Sequence, residues 1–145
     1  MTNDWLNIIF RLCIALLSGA IIGWERQLRH KPAGLRTHML VSLGSALFTL
    51  IPLHTVGLQA NADALSRVIQ GIAAGIGFLG AGEILHESSN DSQRPEIHGL
   101  TSAAAVWVSA ALGIAAGCNL WQLSLIGAFL TFLVLNLFKK LERWN

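Results

Sequence analysis

GWERQLRHKPAGLRT occupies residues 23–37 and separates two long apolar runs. Pro32 and Gly34 favour a turn in this segment, so the sequence predicts a helical hairpin with the segment at its tip. This basic hairpin (residues 23–37) carries four of the ten Lys and Arg residues. Because basic residues set the direction in which a membrane hairpin crosses, the segment also predicts the orientation of the chain.

The composition indicates a single membrane domain over residues 1–145. Of the 145 residues, 53% are hydrophobic and 12% are charged, whereas a soluble domain is about a quarter charged. The net charge of +2 is too small and too local for a nucleic-acid partner, so the expected surrounding is the lipid bilayer. Cys13 and Cys118 lie far apart in or beside apolar runs, which predicts buried thiols and no disulfide framework.

Five apolar runs account for most of the chain. Each has about 18 or 19 residues, which as a helix spans roughly 27 Å and just crosses the hydrocarbon core. The runs do not alternate apolar and polar residues, so helices are favoured over barrel strands. The sequence therefore predicts an all-α integral membrane protein of about five transmembrane helices. Gly117-Cys118-Asn119 predicts a tight turn between the last two helices, although Leu100–Phe138 is nearly continuous and its division is open. The runs are Leu6–Gly23, Leu35–Leu53, Val68–Leu85, Leu100–Gly117 and Leu120–Phe138.

The distribution of basic residues predicts the orientation of these helices. Five spans place the two termini on opposite sides of the membrane. Eight of the ten basic residues then lie on the same side as the basic hairpin, so this side is expected to be cytoplasmic, with the N-terminus outside and the C-terminus inside. These eight are Arg26, Arg29, Lys31, Arg36, Arg94, Lys139, Lys140 and Arg143.

The third run is dense in glycine, which predicts close helix packing. Small residues let membrane helices approach one another, and the Ala- and Ser-rich fourth run is the expected neighbour. A bent helix with backbone carbonyls along a path is the alternative reading. The spacing of Gly75, Gly77 and Gly80 also matches the GxGxxG motif of dinucleotide-binding proteins, but that motif requires a preceding strand. The predicted packing positions are Gly71, Gly75, Gly77, Gly80 and Gly82.

Charged and polar residues converge at the cytoplasmic ends of the predicted helices. Arg67 lies at the opposite face. A carboxylate at this depth must be paired, protonated or bound to an ion, so Glu83 is expected near Arg36 or Arg26. A salt-bridge ring that fixes helix register and a functional polar site are both compatible with this pattern. The predicted polar site comprises Glu25, Arg26, Arg36, Arg67, Glu83 and Thr101.

No sequence pattern points to catalysis. The five histidines lack metal-site spacing, and no nucleophile motif or catalytic dyad is present, so an enzyme is the least favoured class. No cofactor is expected, and Mg²⁺ enters only as a candidate substrate or signal. Magnesium sites favour carboxylates and retained waters. Glu25 and Glu83 alone are few ligands for a dedicated cage, so the sequence leaves the metal ligands unknown.

The motifs taken together resemble the MgtC/SapB family of membrane proteins. The first block is GWER at residues 23–26, followed by KPAGLRTHMLV at residues 31–41. The second is the glycine-rich stretch GFLGAG at residues 77–82, and the third is HGLTSAA at residues 98–104. The matching charged residues are Glu25, Arg26, Lys31, Arg36 and Arg67. Longer members carry a soluble C-terminal domain, and this sequence ends at Asn145, so it is expected to resemble the short form.

The resemblance implies a bacterial inner-membrane protein in magnesium or ion homeostasis. The family is linked to magnesium limitation, acid stress and the intracellular survival of pathogens, and its members are often labelled magnesium transporters. A transporter this small is expected to form a homo-oligomer that builds the path. The rival hypothesis is a non-transporting regulator whose small-residue faces bind another membrane complex, such as ATP synthase.

Overall fold

The computed structural model of the chain describes residues 2–55, 58–89 and 99–138. Every secondary-structure element in these ranges is helical, which confirms the predicted all-α class. A short π-helical turn, Val134–Phe138, continues the last α-helix. The α-helices are α1 Thr2–Leu28, α2 Leu35–Thr55, α3 Leu58–Ser89, α4 Leu100–Gly117 and α5 Trp121–Leu133.

Four of these helices are long and apolar enough to cross a membrane. The spans are Asp4–Leu28, Leu35–Thr55, Ala62–Leu85 and Leu100–Gly117. The fifth apolar segment, Trp121–Leu137, is shorter than a full span within the described residues. Four of the five predicted crossings therefore agree with the structure, and the fifth stays a prediction.

Two helices extend well beyond the apolar runs that predict them. α1 begins at Thr2 where the run begins at Leu6, and α3 begins at Leu58 where the run begins at Val68. An apolar run corresponds only to the part of a helix that lies in the hydrocarbon core, whereas the helical hydrogen bonds continue into the interface. The polar stretch around Asp63 is therefore helical, and the predicted boundary at Val68 is wrong.

Both predicted turns are present and have defined backbone geometry. α1 ends in the basic hairpin, where Lys31 N donates to Arg26 O at 3.1 Å. His30 adopts a left-handed conformation with φ 52°, which reverses the chain after the helix. Between α4 and α5, Asn119 has φ 65°. Asn tolerates this conformation better than most residues, so a turn of few residues can join two contacting helices.

α4 lies at the centre of the bundle and contacts the four other α-helices. The other helices bury 56% of the most apolar segment of α4, whereas they bury only 11% of the corresponding segment of α3. The predicted contact between α3 and α4 is confirmed, and α4 additionally packs on α1, α2 and α5. α2 and α4 separate α1 from α3, which determines which charged residues can meet.

Glycines on α1 and α4 allow these close approaches. A Cβ at Gly113 or Gly117 of α4 would collide with α2, at the Ser42 carbonyl and the Thr49 hydroxyl respectively. A Cβ at Gly19 of α1 would lie 2.6 Å from His38 O. These helices cross with their backbones nearly in contact, as small residues permit in membranes.

The glycines of α3 behave differently from the prediction. Only Gly80 packs on α4, with its Cβ position 3.4 Å from the Ala103 Cβ. At Gly71, Gly75, Gly77 and Gly82, an added Cβ would meet no described atom within 4 Å. The prediction that these four glycines pack α3 onto α4 is therefore wrong. The packed face of α3 contains Ile76 and Gly80, and the row Gly71, Gly75 and Gly82 is turned away from it.

Buried hydroxyl groups reinforce the core. Ser18 and Ser124 share a hydrogen bond of 2.8 Å between α1 and α5, and Ser124 also donates to Leu112 O at 2.9 Å. Ser42 of α2 donates to Ala15 O of α1 at 2.7 Å. Side-chain hydrogen bonds between membrane helices contribute on the order of 0.6 kcal/mol each, so they add to packing without replacing it.

Gly113→Ala and Gly75→Ala form a matched pair of tests for this packing. We expect Gly113→Ala to lower the free energy of unfolding by about 1–3 kcal/mol, because the new methyl group must displace α2. Gly75→Ala should leave stability unchanged or slightly raised, since an open helical glycine is less favourable than alanine. Thermal unfolding in one detergent measures both. Equal losses at the two positions would contradict the assigned helix faces.

Candidate functional site

A group of buried polar residues lies where the end of α1 meets the starts of α2 and α4 and the π-helical turn. We call this group the charged cluster. Four of its side chains are almost wholly buried: Glu25 is 3% exposed, Arg26 4%, Ser102 1% and His38 0%. Burial of ionised groups is costly unless they are paired. The members are Glu25, Arg26, Arg29, His38, Ser102 and Asn136.

Glu25 is the central charge of the cluster. The Arg29 Nε contacts one carboxylate oxygen, and the Arg26 Nη1 lies 3.6 Å from the other. Both contacts are ion pairs, although neither oxygen receives a hydrogen bond of good geometry. Two guanidinium groups therefore face one carboxylate, and these three groups together carry a charge of +1.

Arg26 connects α1 to α4. Its Nη2 donates to Ser102 Oγ at 2.8 Å, in the first turn of α4, while its Nε has no hydrogen-bond partner. The planar guanidinium can reach a carboxylate and a hydroxyl from one side chain because its donors point in several directions. Arg26 therefore ties the first turn of the central helix to the last turn of α1.

Arg29 makes the corresponding connection to the end of α5. Its Nη2 donates to Asn136 Oδ1 at 2.9 Å. Asn136 lies in the π-helical turn, and its Nδ2 donates to Phe132 O at 2.9 Å, which orients the amide. Glu25, by holding both arginines, links α1 with α4 and with the π-helical turn.

His38 completes the cluster from α2. Its Nδ1 lies 2.8 Å from Gly34 O, a carbonyl that can only accept, so Nδ1 carries the proton. Its Nε2 is buried and has no partner. Glu25 and Arg26 both lie within electrostatic range of the ring.

The structure brings together only part of the predicted polar site. Glu25 and Arg26 meet, whereas Arg36, Arg67 and Thr101 have exposed side chains outside the cluster. Among the described residues, no ion pair is found for these two arginines.

The predicted pairing of Glu83 with Arg36 or Arg26 is not found. Glu83 is half-buried on α3, and its Oε1 has no hydrogen-bond partner. Arg26 reaches α4 through Ser102, while α3 meets α4 at the neighbouring Ala103. Because adjacent residues of a helix point about 100° apart, Arg26 and α3 meet α4 on different sides, and no ion pair joins Glu83 to either arginine among the described residues.

Four members of the charged cluster are absent from the predicted polar site: Arg29, His38, Ser102 and Asn136. The helical periodicity of α4 indicates that Ser102 faces the bundle, because it shares a face with the small residues Ser109 and Gly113. Thr101 lies on the neighbouring, exposed side. No local pattern indicates Asn136, because its contact joins positions 107 residues apart.

A second polar contact lies at the opposite end of the bundle. Arg11 donates from Nη1 to Gly117 O at 3.0 Å, at the C-terminus of α4. A cation there is favoured by the helix dipole. In the turn that follows, burial raises the pKa of the Cys118 thiol, and the nearby Arg11 charge partly opposes this. Arg11 thus serves as a structural cap in this chain.

The chemistry of the charged cluster is unsuited to a divalent cation. Two guanidinium groups surround its one carboxylate, and like charges repel strongly at low dielectric. Within the described ranges, no group of three His, Cys, Asp or Glu side chains could hold a metal ion.

Ser102→Ala and Thr101→Ala test the contact between α1 and α4. Ser102→Ala leaves a buried guanidinium donor without its partner, so we expect a loss of about 1–3 kcal/mol in the free energy of unfolding. Thr101→Ala changes an exposed neighbour and should shift stability by less than about 0.5 kcal/mol. Thermal unfolding in detergent compares the two. A larger effect at Thr101 would show that α4 has the opposite rotation.

Known proteins similar to this chain match three quarters of it or more. The protein SrpB of Synechococcus elongatus is 53% identical over 145 residues, covering 97% of this chain and 80% of the relative. The putative magnesium transporter YhiD of Escherichia coli strain K12 is 40% identical, covering 93% of this chain and 62% of the relative. The protein MgtC of Salmonella typhimurium is 43% identical, covering 75% of this chain and 42% of the relative.

The chain therefore spans less than two thirds of YhiD and of MgtC. No solved structure matches it. The model of the MgtC family matches residues 12–144. This match includes the basic hairpin and all residues of the charged cluster, and the chain belongs to the MgtC family.

Proposed function

We propose that this chain acts in magnesium homeostasis in the bacterial inner membrane. Membership of the MgtC family and the four apolar helices support a membrane role. The magnesium connection comes from the name of the Escherichia coli relative, a putative magnesium transporter. Because the chain covers 62% of that relative, its activity is carried over only as part of this proposal.

Within that role, the geometry favours regulation of another membrane protein over conduction of Mg²⁺. The observation that carries this choice is the positive charge of the buried cluster, in which Arg26 and Arg29 face Glu25. A dication moving through this group would meet an unfavourable potential. The cluster instead joins the ends of three helices, as expected of a structural centre in an interaction protein.

The open side of α3 is the surface proposed to bind the partner. Gly71 and Gly75 line a groove of about 550 Å³ between α2 and α3, together with Gly44 and Phe48 of α2. The three glycines contact no described side chain at their Cβ positions. Small residues at a lipid-facing groove allow a partner helix to approach closely.

Transport is the second candidate, and Glu83 favours it. Its carboxylate lies in the α3 span, and one of its oxygens has no hydrogen-bond partner. Carboxylates together with retained waters are ordinary Mg²⁺ ligands. In this candidate, Glu83 residues from several copies of the chain would line a path.

Liposomes and a magnesium-limited growth assay distinguish the two candidates. For regulation we expect no saturable Mg²⁺ flux from purified protein. Gly75→Leu should abolish complementation at normal protein level because it fills the groove. The matched control Ala73→Leu, exposed on another side of α3, should complement. Saturable flux that disappears in Glu83→Gln would refute regulation and establish transport.

We further propose that the N-terminus is outside and the C-terminus cytoplasmic. The basic hairpin supports this orientation through the positive-inside rule. Green fluorescent protein fused after Asn145 should fluoresce, and alkaline phosphatase at the same position should be inactive. An active phosphatase fusion there would refute the orientation.

A further inference from the structure

The charged cluster contains buried polar atoms that the protein itself does not satisfy. Arg26 Nε and His38 Nε2 lack hydrogen-bond partners, and the Glu25 carboxylate, although it forms ion pairs with Arg29 and Arg26, accepts no hydrogen bond of good geometry. The three side chains are 4%, 0% and 3% exposed, so bulk water does not reach them. Buried polar groups in native proteins are almost always hydrogen-bonded, to protein or to ordered water. Several unsatisfied atoms within one cluster therefore point to a bound ligand.

The hydrogen-bonding character of these atoms restricts that ligand. His38 donates its Nδ1 proton to Gly34 O, so Nε2 of the neutral ring presents a lone pair. The Glu25 carboxylate only accepts, and Arg26 Nε only donates. A ligand that satisfies all three side chains must donate two hydrogen bonds and accept one.

The charges around the site exclude an ionic ligand. A metal cation would face the guanidinium groups of Arg26 and Arg29, which already neutralise Glu25. An anion would face the acceptor atoms of Glu25 and His38. The other described cluster members, Ser102 and Asn136, are uncharged and are already hydrogen-bonded. A neutral ligand with two donors and one acceptor remains.

We propose that the charged cluster encloses an ordered water molecule. It donates to His38 Nε2 and to the Glu25 carboxylate, and it accepts from Arg26 Nε. Such a water is held by three partners, the usual number for a buried water in proteins. The site connects α1 with α2 through hydrogen bonds that the side chains do not make directly. It is independent of whether the chain regulates or transports.

Histidine nuclear magnetic resonance in lipid nanodiscs tests this site on the intact chain. The protein is labelled with ¹⁵N-histidine at neutral pH, and the His38 signal is assigned by its loss in His38→Asn. We expect a neutral ring protonated at Nδ1, with magnetisation transfer to Nε2 from a slowly exchanging water. His54 is the internal control, because its Nδ1 also bonds an i−4 carbonyl, Leu50 O at 2.9 Å, but its side chain is exposed.

The expected contrast is slow water exchange at His38 and fast exchange at His54. Three results would overturn the proposal. They are a His38 ring protonated at Nε2, a Nε2 without any water contact, and a direct hydrogen bond from Arg26 Nε to His38. Each is read from the wild-type spectrum, and if His38→Asn does not fold, replacing the four other histidines one at a time assigns the His38 signal by elimination.

Discussion

The structure depends on one buried carboxylate held between two guanidinium groups. Glu25 lies at the end of α1 and is 3% exposed, so its charge must be compensated within the protein. Arg26 and Arg29 provide that compensation, and each extends to another part of the bundle. Arg26 reaches Ser102 at the start of α4, and Arg29 reaches Asn136 beyond α5. Removing the carboxylate would leave buried positive charge at the junction of these helices.

Besides these ion pairs, the bundle depends on small residues for its close packing. α4 is central because glycine, alanine and serine let α1, α2 and α5 approach its backbone. Lipid competes with apolar side chains for every helix surface, so close backbone contact and hydrogen bonds decide which helices associate. α3 is bound less extensively and exposes most of its glycines. The bundle therefore has a tightly packed part, α1, α2 and α4, and a helix, α3, with an open face.

The sequence predicted the helices and the turns because these depend on local properties. The basic hairpin, the turn at Asn119 and the Ala-rich α4 follow from glycine, proline and hydropathy patterns. Helix rotation is not a local property, because a glycine-rich helix is small on several sides. Gly80 and Gly75 are therefore indistinguishable in sequence, although only Gly80 meets α4. For the same reason the sequence indicates Glu25 and Arg26, but not Ser102, which binds Arg26, or Asn136, which binds Arg29. The placement of Glu83 required knowing that α4 separates α1 from α3.

The most direct test of the account compares Glu25→Gln with Glu83→Gln in thermal unfolding under one detergent condition. Both changes replace a carboxylate by an amide of nearly the same shape. We expect Glu25→Gln to lose about 3–5 kcal/mol in the free energy of unfolding, because it leaves buried guanidinium groups uncompensated. Glu83→Gln should lose much less, since no ion pair involves Glu83 among the described residues. Equal losses in the two variants, or a larger loss for Glu83→Gln, would contradict the central role of Glu25.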